Sequence, residues 1–269
     1  MMPTNLFLVR HGQSEGNEIR TKYEKSGDEG FYSDEFLRLH ESQYALTTLG
    51  IEQAKKAGDW LNKNNFTDFF RYYVSNNVRA MQTAAYLGLQ SASWYIEHNL
   101  RERDGGLFNG ITPSERDKKY SNEQKYHKQQ PFLFRPPQGE SISDVTIRIK
   151  LLLDTLAREC SSKNVIIVCH GHVIRTFRII LERMSLEKAN DYLTGEEEWK
   201  RVPNCSIVQY TRFKPDNSSE ELKYFGYTRM ICPAGGGKIA DNWRQIERKR
   251  FSNDDLLFEA KRNRKSVEV

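Results

Sequence analysis

Cysteine is scarce in this chain: four occur in 269 residues, at positions 160, 169, 205 and 232, and no two are spaced Cys-x-x-Cys. That excludes zinc knuckles and dithiol redox motifs as the organising chemistry. No apolar stretch reaches the length of a membrane span, and Met1-Met2-Pro3-Thr4 runs straight into a strand-like segment instead of a basic-then-apolar export signal. The expectation is a cytoplasmic protein with no membrane partner. Charge of one sign is also missing, because 41 Lys+Arg stand against 36 Asp+Glu, intermixed, for a net +5. Such a balance suits anionic small molecules and offers no ground for nucleic-acid binding.

What is present is a pair of strand-end histidines. Leu6-Phe7-Leu8-Val9 is followed by Arg10-His11-Gly12, and Val165-Ile166-Ile167-Val168 by Cys169-His170-Gly171. A short run of β-branched and large apolar residues stopped by a polar group and glycine reads as a buried strand entering a turn. In open α/β sheets the crevice beyond the carboxyl ends of the strands is where ligands bind. Two such ends, each with a glycine that lets backbone approach closely, imply one pocket holding two imidazoles. Asn17 follows the first, and Arg79 opens the helical stretch Val78 to Leu89. Singly, these would pass as turn or surface residues.

Together they form a pattern that resembles the histidine phosphatase superfamily, which includes the cofactor-dependent phosphoglycerate mutases and many metabolite phosphatases. Its parts appear in order: Arg10, His11 and Asn17; Leu-Thr-x-x-Gly-x-x-Gln-Ala from Leu46 to Ala54; Arg-Ala-x-Gln-Thr-Ala from Arg79 to Ala84; and Glu-x-x-x-Gly from Glu102 to Gly106. Gly139-Glu140-Ser141 with Arg148, and His-Gly-x-x-Ile-Arg from His170 to Arg175, complete it. The resemblance spans about Leu6 to Tyr210. It implies a phosphoglycerate mutase-like fold and phosphoryl transfer through a phosphohistidine at His11.

Physical chemistry assigns matching roles. Phosphoryl transfer needs an in-line nucleophile and fixed positive charge about the equatorial oxygens. Neutral His11 is a nucleophile at one ring nitrogen if the other donates its proton to a neighbouring carbonyl. Arg10 and Arg79 offer permanent charge and a planar fork of donors, Asn17 a neutral donor, and His170 with Gly171 a second cationic or donor group and helix-start N–H groups. Glu102 is the expected general acid towards the leaving alcohol, kept protonated by the anionic substrate beside it. Asp104 is its rival, unless it only braces Arg103 or caps a turn.

Other groups receive plainer readings. Strand alternation points Cys169 away from its neighbour His170, into the core. His170-Gly171-His172 lacks the third ligand that a catalytic zinc needs, so no metal is expected. Gly235-Gly236-Gly237-Lys238 lacks the earlier glycine and the following Ser or Thr of a phosphate loop, and reads as a flexible loop.

Strands are expected near 5–10, 70–75, 94–97, 164–169 and 204–212, and helices near 48–63, 78–89, 141–160 and 171–184. Alternation of the two types predicts a three-layer α/β/α sandwich with a central, mostly parallel sheet. The domain is placed at 1–213, with polar insertions at about 18–44 and 111–138 read as a substrate-selecting rim. The first carries Arg20, Lys22, Tyr23, Phe31, Tyr32, Phe36 and Arg38 near the expected pocket mouth. A C-terminal extension, 214–269, is expected to hold an edge strand within 222–231 and a charged helix or tail over 253–265.

The expected function is a cofactor-free, metal-independent phosphatase acting on a small phosphomonoester. The length leaves room for a homo-oligomer. A phosphoglycerate mutase is the enzymatic alternative: Glu102 to Leu107 fits that branch, but Ile111 to Gly139 lacks the paired arginines before a proline-rich turn that the resemblance implies, only Arg135 standing at that turn. A non-catalytic phosphate-binding or regulatory module is the alternative of another class, opposed by an intact set of site residues.

Overall fold

The computed structural model describes residues 1–195, 197, 200–215, 217–235 and 242–265. Of the Gly235-to-Lys238 run, only Gly235 lies within the described residues. The elements are, in chain order, β1 (Asn5–Arg10), α1 (Glu15–Ser26), α2 (Asp34–Arg38), α3 (Thr48–Lys63), β2 (Arg71–Val74), α4 (Val78–Tyr86) and β3 (Trp94–Ile96). Then follow α5 (Pro113–Lys119), α6 (Ser121–Gln129), α7 (Ile142–Glu159), β4 (Asn164–Cys169), α8 (Gly171–Leu181), α9 (Leu186–Thr194) and β5 (Ile207–Thr211). The extension adds β6 (Phe213–Lys214), β7 (Asn217–Glu221), β8 (Tyr227–Ile231), β9 (Arg244–Gln245) and α10 (Asn253–Lys265).

Seven strands form the central sheet in the order β3-β2-β4-β1-β5-β8-β9. Its β3-β2-β4-β1 half is parallel throughout, and β5 and β9 run against their neighbours. Because side chains alternate along a strand, each apolar run feeds two cores. Leu6, Leu8, Val165, Ile167 and Cys169 face one way, into a cluster with Val145, Ile149, Val173 and Phe177 of α7 and α8. Phe7, Val9, Ile166 and Val168 face the other, onto Ala54, Leu61, Ala80 and Ala84 of α3 and α4. The three layers follow from that alternation. Cys169 is fully buried in the first cluster, and burial pushes its thiol far up, so it is packing rather than chemistry.

The helices begin where their caps stand. Ser141 and Asp144 form a capping box at α7, and Thr47 caps α3. The stretch expected to be helical to residue 89 stops at Tyr86, since Gly88 takes φ 64° and turns the chain left-handed. Helices α1, α2, α5, α6 and α9 lie outside the sequence expectation. The first insertion, drawn from residue 18, begins inside α1, a helix with no buried residue and hence little apolar periodicity to read.

Beyond β5 the chain forms a separate two-stranded sheet of β6 and β7 and then rejoins the central sheet through β8 and β9. β8 pairs with β5, and β9 covers its outer side, so the strand found within 222–231 is interior and not at the edge. Met230 and Ile246 enter the α7/α8 core. α10 is tied to α9 through Arg262 and Glu187 at 2.7 Å, and Leu256, Leu257 and Phe258 are exposed. Among the described residues no helix is long and apolar enough to cross a membrane.

Candidate active site

The parallel register sets Arg10 opposite Cys169, so His11 and His170 leave the sheet side by side, ring centroids 5.2 Å apart. The backbone closes the two turns together: His11 N–H donates to the Cys169 carbonyl at 2.9 Å, and Ser75 N–H, at the end of β2, to the Val168 carbonyl at 3.0 Å. The chain leaving β1 and β4 lines one cavity of about 460 Å³, through Arg10, His11, Gly171 and His172.

His11 is 2 % exposed, with Nδ1 2.7 Å from the Gly12 carbonyl. A carbonyl can only accept, so Nδ1 carries the proton and Nε2 the lone pair. Arg79 Nε donates to that Nε2 at 3.3 Å. Burial, then Arg79, His170 and Arg10, hold the imidazole well below its usual pKa, so it is neutral at pH 7. Two of the sequence motifs brace this turn. Gln53 and Thr47 hold the backbone of Gln13, at 2.8 and 3.3 Å, while Thr83 accepts from Gly12 N–H at 3.0 Å. Gly12 is packed face to face with Gly50, and a Cβ on either would run into backbone of the other segment.

Cations surround Nε2. Arg79, in the first turn of α4, is buried and also donates to the Glu41 carbonyl. Arg10 donates to the Val202 carbonyl at 2.6 Å, while its buried Nε has no protein partner. Burial lowers Arg10 to about 10, which leaves it charged at neutral pH. His170 is fully buried: Nε2 lies 2.7 Å from Ser75 Oγ, and Nδ1 is without a partner. Burial and then Arg79 hold this imidazole well below its usual range too. Gly171, the first residue of α8, lines the cavity, and a helix-start N–H has no acceptor within its own helix. Asn17 Oδ1 accepts from Ser14 N–H at 3.3 Å and Asn204 Nδ2 at 3.0 Å, which turns its own Nδ2 into the remaining donor.

Glu102 enters from the opposite wall. Its Oε1 accepts from Arg103 N–H at 2.9 Å, and Oε2 lies 3.7 Å from His172 Nδ1. Burial alone would raise this carboxyl, but His172, His170 and Arg79 outweigh it and hold the group well below the usual range. Asp104 is spent on a turn, accepting from Gly106 N–H at 2.7 Å, and does not line the cavity. The Gly-Glu-Ser motif proves to be a brace. Glu140 accepts from Arg101 at 2.6 Å, Arg148 at 3.0 and 3.1 Å, and Asp104 N–H at 3.1 Å. Arg148 in turn donates to the carbonyls of Asn99 and, at 3.3 Å, Glu102.

Every residue singled out from the sequence, His11, Arg10, Asn17, Arg79, Glu102, His170 and Gly171, lies in this one region. Of the insertion residues, Arg20, Tyr32 and Phe36 line the cavity, whereas Lys22, Tyr23, Phe31 and Arg38 do not. Arg135 is turned away onto Asp144 at 2.5 Å. Sequence reasoning missed His172 as the partner of Glu102, Ser75 as the partner of His170, and Glu41, Arg116 and Asn204 altogether. Ser75 carried a usable signal, since it too ends a buried strand; the others depend on contacts distant in the chain. Glu41 is raised to about 7, by burial first and then by the charge of Glu102, against Arg79. Among the described residues no three His, Cys, Asp or Glu side chains converge as a metal site would require.

Fold and site define an enzyme of the phosphatase class. The family model for the histidine phosphatase superfamily (branch 1) matches residues 6–212, and the chain belongs to that superfamily. A 2,3-bisphosphoglycerate-dependent phosphoglycerate mutase of Methylorubrum populi is 30% identical over 186 residues, covering 67% of this chain and 80% of that protein. The human 6-phosphofructo-2-kinase/fructose-2,6-bisphosphatase 4 is 30% identical over 173 residues, 64% of this chain but only 32% of the human protein. Among solved structures, a mycobacterial glucosyl-3-phosphoglycerate phosphatase superposes with TM-score 0.60 at 22% identity, over 85% of this chain and 97% of that one. A phosphoserine phosphatase of Entamoeba histolytica gives 0.57 at 21%, over 78% and 93%. These structures share the fold.

Proposed function

We propose that this chain hydrolyses a small phosphomonoester in two steps, without a metal, through a phosphohistidine on His11. The observation that carries the reading is the His11 ring itself, locked through Nδ1 on the Gly12 carbonyl so that Nε2 faces Arg79 with its lone pair. Arg10, Arg79, Asn17, His170 and the Gly171 N–H then hold the phosphoryl oxygens, a role for which fixed arginine charge substitutes for a cation. The orphaned Nδ1 of His170 and Nε of Arg10 are groups that such oxygens would satisfy.

In the first step His11 Nε2 bonds to phosphorus as the P–O bond to the substrate breaks, and Glu102 gives the departing oxygen a proton. Glu102 is anionic in the field of Arg79, so it takes up that proton when the phosphoryl dianion arrives and offsets the arginine charge. In the second step Glu102 takes a proton from water as the water oxygen attacks phosphorus, and the P–N bond breaks to restore neutral His11. A 460 Å³ cavity is of a size for a metabolite.

Brief reaction with labelled phosphomonoester and an alkaline quench should leave an acid-labile, base-stable protein adduct that His11→Ala lacks. An adduct that persists in that variant, or one on Cys169, would overturn the reading. Phosphoglycerate mutase activity is the second reading, favoured by the relatives of 30% identity. Against it, Arg135 is engaged with Asp144 outside the cavity. Interconversion of phosphoglycerates primed by a bisphosphorylated cofactor, faster than hydrolysis, would establish the mutase instead.

A further inference from the structure

We propose that the two insertions build a second anion-binding subsite around Arg20 and Arg116, and that the ligand of this site is a phosphomonoester bearing a second anionic group. The term phosphomonoester rests on the phosphatase reading above; the subsite rests on the cavity wall.

Arg20 comes from α1 and Arg116 from α5, almost a hundred positions apart, yet both line the cavity that holds His11. Tyr32 lines the same cavity. Burial raises its hydroxyl, and the two charges that oppose this most are Arg20 and Arg116, so the tyrosine stands in the field of both. The wall is constructed and not a chance approach of loops. Glu29 of the first insertion accepts from both the N–H and the Oγ of Ser114 in the second, each at 2.6 Å. Phe36 stacks on Tyr44 with centroids 4.7 Å apart and planes 10° off parallel, and both rings line the same cavity as Arg20 and Tyr32.

The cavity has more cations than a phosphoryl group requires. Six arginines, Arg175 of α8 among them, line it against two carboxylates, Glu41 and Glu102. Arg10 and Arg79 stand beside His11, and Arg103 is held by the carbonyls of Glu140 and Phe134. Arg20 has no ion-pair partner among the described residues, and Arg116 has only Asp117, at 3.6 Å from Nε. Of the two carboxylates of the cavity, Glu102 is beside His172, while Glu41 is raised by burial and by Glu102 and lies in the field of Arg79 and then Arg20. Arginines concentrated in a cleft focus positive potential, and their planar forks match carboxylate or phosphate oxygens. A substrate with one phosphoryl group and a neutral remainder would leave Arg20 and Arg116 unmatched.

The test is calorimetric, on full-length His11→Ala protein so that no ligand is turned over. Two matched pairs serve as probes: glucose 6-phosphate against 6-phosphogluconate, and fructose 6-phosphate against fructose 1,6-bisphosphate. In at least one pair the ligand with the second anion should bind about tenfold tighter or more, as expected for a charge-assisted hydrogen bond. The first pair succeeding points to a carboxylate as the second anion, the second alone to a phosphate. Adding Arg20→Gln with Arg116→Gln should shrink the ratio below about threefold, and Arg20→Lys with Arg116→Lys should restore part of it. Equal affinities within both pairs, or a double variant that weakens both members of a pair alike, would overturn the subsite. Failure to trap a phosphohistidine would sink the hydrolase reading and leave this comparison intact.

Discussion

Replacing Glu140 by methionine should cost both stability and the alignment of Glu102, because one carboxylate holds the loop that carries it. Glu140 is 16% exposed and takes donors from Arg101, Arg148 and the Asp104 backbone. Arg148, at 8% exposure, would keep its charge and lose its counter-ion. Breaking a buried pair by removing one partner costs about 3–5 kcal/mol, and residual solvent at Glu140 favours about 3. For a chain of this size about 1 kcal/mol shifts Tm by roughly 2–4 °C, so Glu140→Met should melt about 6–12 °C lower. The double variant Glu140→Met with Arg148→Met removes both charges together, and a double-mutant cycle should give a coupling of about 1–3 kcal/mol. Because Arg148 also donates to the Glu102 carbonyl, the single variant should slow phosphoenzyme formation at a temperature where it is fully folded. A Tm within about 2 °C of wild type, or a cycle with no coupling, would refute the account of Glu140 as the brace.

Three further outcomes follow from the same geometry. Glu102→Gln should slow phosphoenzyme formation by about a hundred- to ten-thousand-fold with an alkyl phosphate and far less with an activated aryl phosphate; equal losses in rapid-mixing experiments, with Asp104→Asn showing the leaving-group dependence, would move the acid to Asp104. His11 and His170 are both held below the usual pKa in the folded state, so as pH falls below about 6.5 the unfolded chain takes protons the folded one refuses, and stability drops. The urea midpoint should therefore fall between pH 7.5 and 5.5, by less in His170→Gln; a flat profile would contradict two buried neutral imidazoles. Gly12→Ala should destabilise the protein by about 1–3 kcal/mol through collision with the Gly50 carbonyl and displace His11, and an alanine variant with wild-type melting and activity would show that the contact yields.

The sequence by itself determined strands β1 to β5, the two-faced core and the pocket's central residues. A buried parallel strand has to be a short apolar run, and the polar residue that ends it has to lie at the carboxyl edge; Leu6 to His11 and Val165 to His170 carry that information locally. The apolar stripes of α3, α4, α7 and α8 were equally legible, while α9, short but capped by Ser185 and burying Ala189 and Tyr192, was missed. Helices α1, α5 and α6 were not, because they bury almost nothing and are held by caps and by contacts such as Glu29 with Ser114.

Tertiary structure alone decided protonation and partnership. The Gly12 carbonyl that sets the His11 tautomer is one residue away, yet its 2.7 Å approach depends on the turn pressed between Gly50 and Thr83. Only the packed site shows that Glu102 is anionic among His172, His170 and Arg79, since burial and neighbouring charge act in opposite directions and their balance is a matter of distances. The same holds for Glu140, legible as a motif but not as a brace, and for Arg20 and Arg116, which chain folding brings to one wall. Periodicity is a local property of sequence; electrostatic balance is a sum over neighbours that only the folded chain supplies.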